Sequence, residues 1–195
     1  MSVRLFVALE ISDTVRSHVA DLIETLSERM GAAAAGVGWV PPDRLHLTLL
    51  FIGHVDASTA TDIQSRLSQP YDLEPFTIEF RGLGLFPPAG QPRVIWVGIE
   101  RGSADVQRLH VETLRRLDGV PFRREPRPFS AHLTLGRFRE PGPARVRREL
   151  LAVRPPRIGR CTIEAVTLYQ SRLSPRGPTY IPVLRSPLQG LQGRS

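Results

Sequence analysis

Apolar positions in this chain switch between a short-strand pattern and a helical one, and the switch happens twice. Val7, Ala8 and Leu9 form a short apolar run that ends at Glu10, as a strand does. Val15, Val19, Leu22, Ile23, Leu26 and Met30 then recur at helical spacing, with Ser12 or Asp13 as a cap and Gly31 as a stop. The alanine-rich residues 32–36 read as a flexible connection. Trp39-Val40-Pro41-Pro42 leads into a strand that carries His46 and closes at Gly53. A helix over 58–68 turns Ile63 and Leu67 inward, and Phe76, Ile78 and Phe80 alternate with polar neighbours as a half-buried strand does.

The order then repeats. Val94 to Ile99 is an apolar strand that again ends in glutamate, Glu100. Ser103 can cap a helix with Val106, Leu109, His110, Thr113 and Leu117 on one face, ended by Gly119. A proline-punctuated loop, 121–128, precedes a strand carrying His132. Pro143 opens a helix to about Ala152. Thr162-Ile163-Glu164 repeats Thr77-Ile78-Glu79 at the start of another strand over 162–166. A last strand, 180–184, belongs at a sheet edge because Pro182 has no N–H for a ladder.

These offsets predict an α+β fold built from a duplicated unit, about 1–88 and 92–185, in a single bilobal domain. Each half is expected to build its own antiparallel or mixed sheet, the two sheets facing a central cleft with helices on the outer faces. The join falls at Pro87 to Pro92, and the tail 189–195 is expected to be disordered.

The closest internal match is His-Leu-Thr-Leu, at 46–49 and again at 132–135, and 132 − 46 = 86. Alternation turns Leu47, Leu49, Leu133 and Leu135 into the core and His46, Thr48, His132 and Thr134 toward the open face. A lone His-x-Thr on a strand is ordinarily a solvated polar pair. Two copies in equivalent places of a chain whose halves have otherwise diverged point to chemistry. One imidazole can take a proton from water while the other gives one to a departing oxygen. Threonine hydroxyls and an arginine can hold the oxygens of an anionic centre, so the array suits in-line displacement at phosphorus. A zinc site is disfavoured, since neither motif carries a second His or Cys at ligand spacing. Cys161 reads as a core residue, His18 and His110 as helix positions, and His54 as a bystander.

Composition adds direction. The formal net charge is +7, and all 26 basic residues are arginine. Arginine favours phosphate-rich partners, although a compositional bias gives the same count. The arginines at 123–127 and 137–148 are expected to steer an anionic substrate toward the cleft, though charge alone does not establish nucleic-acid binding. No stretch is long and apolar enough for a transmembrane helix, the N-terminus lacks a signal-peptide pattern, and one cysteine fits a reducing cytoplasm.

The paired motifs resemble those of the two-histidine phosphoesterase superfamily, and more narrowly the bacterial and archaeal RNA 2′,3′-cyclic phosphodiesterases, long labelled 2′-5′ RNA ligases. Arg4 to Ala8, Phe51-Ile52-Gly53, Gly82 to Pro87, Arg93 to Gly98, Pro128-Phe129 and Gly177 to Tyr180 add to the resemblance. It implies hydrolysis of a 2′,3′-cyclic phosphate on RNA or a nucleotide to a 2′-phosphate, without metal or other cofactor. His132 would be the base, His46 the acid, and Thr48, Thr134 and Arg137 the phosphate binders, with Phe51 and Phe86 as candidates for base stacking. The protein would be a cytoplasmic monomer with no membrane or obligate protein partner. ATP-independent 2′-5′ ligation or cleavage, and a non-catalytic RNA-binding module, are the alternatives. Strict alternation from Thr134 puts residue 136 on the active face, so Arg137 needs a bulge or a strand end to join it.

Overall fold

The computed structural model describes residues 2–153, 157–174 and 177–190. Within them lie strands β1 (Ser2–Leu9), β2 (Val37–Trp39), β3 (Leu47–Asp56), β4 (Phe76–Phe86), β5 (Val94–Arg101), β6 (Leu133–Phe138), β7 (Arg157–Ile163), β8 (Ala165–Ser174) and β9 (Gly177–Pro187). The helices are α1 (Asp13–Met30), α2 (Ala57–Leu67), α3 (Ser103–Arg116) and α4 (Ala144–Leu151). Local chemistry places their starts. The Ser12 hydroxyl accepts from the Val15 N–H, and Asp56 Oδ1 accepts from the Thr59 N–H at 2.8 Å. A side-chain cap of this kind is worth about 1 kcal/mol. Gly102, not Ser103, occupies the cap position of α3.

The strands form two antiparallel sheets, ordered β3-β1-β8-β9 and β2-β6-β5-β4-β7. The expected order of elements is present, but each half does not build its own sheet. β8 from the second half extends the β3-β1 pair of the first, and β4 from the first half joins β5 and β6 of the second. The helices cross as well. α1, which follows β1, packs on β7 and α4 of the other sheet's layer, while α3, which follows β5, packs on β3 and α2. The cause of the mismatch is physical. Alternation tells which face of a strand is buried, and it is silent about which strand lies alongside.

Glu164 marks the crossing. The strand expected over 162–166 divides there, with β7 in one sheet and β8 in the other. Two further differences are local. Gly31–Gly36 is a 3-10 helix in place of a flexible connection, because alanine loses no side-chain freedom in a helical turn and Gly31, at φ 53°, lets α1 end first. The chain also stays tied through Gln189, whose N–H donates to the Tyr71 carbonyl, and residues 191–195 of the expected tail lie outside the described residues. β9 is outermost in its sheet, as Pro182 requires.

The core runs through both layers. Val7, Leu9, Leu47, Ile95, Val97, Leu133 and Leu135 are wholly buried. Full burial of such a side chain contributes about 1.5–3 kcal/mol. The leucines of both His-Leu-Thr-Leu motifs therefore clamp their strands in place from the side opposite the cleft. Among the described residues no helix is long and apolar enough to cross a membrane.

Candidate active site

His46 and His132 each stand one residue before a strand, β3 and β6. The two rings are held by the same device. His46 Nδ1 lies 2.7 Å from the Arg44 carbonyl, and His132 Nδ1 lies 2.7 Å from the Ser130 carbonyl. A carbonyl only accepts, so Nδ1 carries the proton in both rings and Nε2 is left free. Both rings have aromatic walls. Phe6 and Tyr180 lie 4.9 and 5.1 Å from His46, and Phe86 and Trp96 lie 5.1 and 6.0 Å from His132.

Phe6, Trp96 and Tyr180 lie within segments that carry the family resemblance, but none is among the candidate site residues. A signal for two of them existed: Phe6 and Trp96 each precede the closing glutamate of their strand, Glu10 or Glu100, by four residues. Gly84 explains part of the Gly82 to Pro87 motif. A Cβ on it would run into the Trp96 ring, so only glycine lets the indole lie where it does.

The expected irregularity near Arg137 is present. In the β5–β6 ladder Ile95 faces Gly136 and Trp96 faces Thr134, which leaves Leu135 as an extra residue. Alternation restarts after this bulge. Leu135 and Gly136 are both buried, and Arg137 returns to the face of Thr134. The first half carries the same bulge at the same place. Val7 faces Leu50 and Ala8 faces Thr48, so Leu49 is extra, and Phe51 comes to the face of Thr48. The carbonyls of the extra residues are both satisfied from outside the bulged pair. The Val40 N–H donates to Leu135, and His110 Nδ1 donates to Leu49 at 2.8 Å while its ring stacks on Phe129 at 4.1 Å. His110 is thus a brace between β3 and the loop that leads to His132.

His46, Thr48, Phe51, Thr134 and Arg137 line one cleft of about 220 Å³, together with Arg4, Arg44 and Tyr180; His132 is outside this lining, two residues before Thr134 and against Phe86 and Trp96. Its lining includes three arginines and no carboxylate. Burial pushes both imidazoles below the ordinary histidine value. The hydrogen bonds to the Arg44 and Ser130 carbonyls oppose this, and the Arg137 charge adds to it at both rings. One guanidinium is therefore felt by both histidines. Burial also lowers Arg137 itself, but a guanidinium keeps its charge throughout the working range.

The aromatic candidates and the other histidines differ in where they lie. Phe51, in the cleft lining, is 47% exposed. Phe86 does not line the cleft; it stacks on Trp96 at 5.0 Å with its edge to His132. His18 Nδ1 donates to the Ile158 carbonyl, and exposed His54 lies near Ser2. Cys161 is buried, and burial pushes its thiol up, so it stays protonated in the core. Among the described residues no three His, Cys, Asp or Glu side chains cluster in a way that could hold a metal ion.

Comparison with known proteins places this arrangement. Residues 13–174 match the profile of the 2′-5′ RNA ligase superfamily. The chain belongs to that family. Within it, the RNA 2′,3′-cyclic phosphodiesterase of Archaeoglobus fulgidus is 36% identical over 91% of this chain and 96% of its own. The protein of the same name from Thermus thermophilus is 33% identical over 98% of this chain and 93% of its own. Among solved structures, TT0787 of Thermus thermophilus superimposes with a TM-score of 0.76 at 30% identity, covering 97% of this chain and all of its own. Escherichia coli LigT complexed with 3′-AMP gives the same TM-score at 23% identity over 96% and 99% of the two chains, and shows the shared fold.

Proposed function

We propose that the protein hydrolyses the 2′,3′-cyclic phosphate at an RNA end, or on a nucleotide, to a 2′-phosphate. The observation that carries this is the matched pair of histidines, each with Nδ1 tied to the carbonyl two residues upstream and Nε2 free, at the head of bulged strands that line an arginine-rich cleft. Relatives of the same family that share about a third of their residues with this chain are named for that activity.

In the reaction, His132 Nε2 takes a proton from water as its oxygen attacks phosphorus. The P–O3′ bond breaks in line, and Nε2 of protonated His46 gives its proton to the departing O3′. His132 ends protonated and His46 neutral, and exchange with solvent restores both. Thr48 and Thr134 donate their hydroxyls to the non-bridging oxygens while Arg137 neutralises the charge gathering there. General acid and general base catalysis contribute about 10²- to 10⁴-fold each. With a 5′-hydroxyl in place of water, the same course in the same cleft would join a 2′-5′ linkage, and its reversal would cut one. The protein acts on this proposal as a cytoplasmic monomer without metal, and the arginines of 123–127 and 137–148 draw the RNA end in.

The test is incubation with each nucleoside 2′,3′-cyclic phosphate in excess chelator, with the product identified as the 2′- or 3′-monophosphate. Release of the 2′-monophosphate, abolished in both His46→Ala and His132→Ala, is expected. Binding of RNA with no turnover in the wild type would leave only a binding module, and loss of activity on chelation would call for a metal.

A further inference from the structure

The two halves of the cleft share a histidine, a threonine, a bulge and an aromatic wall, and they differ in charge. One reacting phosphate needs Thr48, Thr134 and Arg137. Two more guanidinium groups, Arg4 on β1 and Arg44 ahead of β3, line the same cleft. Their counterparts in the second half are neutral. Arg4 corresponds to Val94, counted back from Glu10 and Glu100, and Arg44 to Ser130, counted back from His46 and His132.

Both arginines are half-buried, and among the described residues neither guanidinium has a hydrogen-bond or ion-pair partner. Arg116 shows what a structural arginine looks like here: it pairs with Glu112, donates to the Gln69 and Pro70 carbonyls, and covers the Tyr71 ring. A half-buried cation with none of these partners has lost part of its hydration without a replacement, a state suited to an anionic ligand. Arg44 also lies close against the backbone of Gly177. Its Nη1 would lie 2.7 Å from a Cβ at Gly177, so that glycine, at φ 102°, leaves the space the guanidinium occupies.

We infer that Arg4 and Arg44 form a second phosphate subsite, which takes the 5′-phosphate of the terminal nucleotide and so the link to the rest of the RNA. This rests on the proposed function, since the reacting phosphorus sets where the terminal ribose lies. With His46 at O3′, the ribose extends over the His46 side of the cleft, where both spare cations and the exposed Phe51 lie. O2′ and O3′ flank the phosphorus at similar positions, so the cyclic phosphate ring by itself distinguishes weakly which of them meets His46; the two arginines, by holding the 5′ side, fix it.

The experiment compares adenosine 2′,3′-cyclic phosphate with the same molecule carrying a 5′-phosphate, in the wild type, R4Q, R44Q and R4Q/R44Q. The wild-type kcat/KM is expected to favour the 5′-phosphorylated substrate by about tenfold or more. In R4Q/R44Q the ratio is expected to fall close to one, with each single variant between. The ratio is taken within one protein, so a smaller folded fraction cancels. Arg→Lys at both positions is expected to keep part of the preference, since the charge survives. A wild-type ratio near one overturns the inference and leaves the proposed function standing. So does a preference that R4Q/R44Q retains. Hydrolysis of neither substrate overturns the proposed function and this inference with it.

Discussion

A backbone carbonyl two residues upstream fixes Nδ1 of each imidazole and leaves Nε2 free, and burial, with a smaller contribution from Arg137, sets when the rings hold protons. Burial and the Arg137 charge both depress the two histidines in the free protein. The base must be neutral, so activity rises above its pKa; the acid must be protonated, so activity falls above its own. Both values are lowered, and the bell of kcat/KM is therefore expected on the acid side of the ordinary imidazole value, about 6.5. A bound phosphate raises both, which moves the kcat bell to higher pH than the kcat/KM bell. Arg137→Gln removes a positive neighbour from both rings and is expected to shift the kcat/KM bell upward while lowering its height. A pH profile of the variant that stays in place would separate Arg137 from the histidines. Thr134→Ala is expected to cost about 10- to 100-fold in kcat/KM, the worth of one hydrogen bond to a charged group, and Thr134→Ser to recover most of it. Equal losses in both variants would mean that the methyl group, not the hydroxyl, is what the site needs.

Elements carry these residues into place through a local defect repeated in both halves. His46 and Thr48 were legible in the pattern because alternation alone puts them on one face; Arg137 and Phe51 were not, since both sit one residue out of phase. The bulges at Leu49 and Leu135 restore the phase. The need for one at Arg137 could be read from the sequence, but its twin in β3 could not, because nothing in the residue types marks it. The aromatic walls were hidden for another reason: Phe6 and Trp96 read as ordinary core positions of apolar strands. Glycines of β4 offer a test of the His132 wall. Gly84→Ala would drive a Cβ into the Trp96 ring, an overpacking that costs about 1–3 kcal/mol and displaces the indole beside His132. Gly82→Ala meets no neighbour within 4 Å but is strained at φ 82°. Urea denaturation is expected to show both variants destabilised, Gly82→Ala by about 1 kcal/mol, and only Gly84→Ala should also lose kcat/KM beyond its loss of folded protein. Equal activity in the two would detach Trp96 from the function of His132.

At the scale of the molecule, the halves are bound by exchange. The first half lends β4 to the sheet of β5 and β6, the second lends β8 to that of β1 and β3, and each first helix packs in the other's layer. A repeat of elements is visible in a sequence; an exchange of strands between repeats is not, because the same buried faces serve either arrangement. The consequence is that the turn at 87–92 is a boundary in the chain without being a boundary in the core. Alone, residues 1–89 would hold β1 and β3 without β8, β4 without both of its neighbours, and α1 without β7 or α4. Edges and apolar faces left open on that scale do not sustain a cooperative fold. Fragments 1–89 and 90–195, made separately, are therefore expected to lack a cooperative urea transition and dispersed amide resonances. Mixed or co-expressed, they are expected to recover both, along with cyclic phosphate hydrolysis, since the cleft draws Arg4, His46 and Phe51 from one fragment and Thr134, Arg137 and Tyr180 from the other. A cooperative transition in either fragment by itself would show that a half of the chain can close its own core and that the exchange is dispensable.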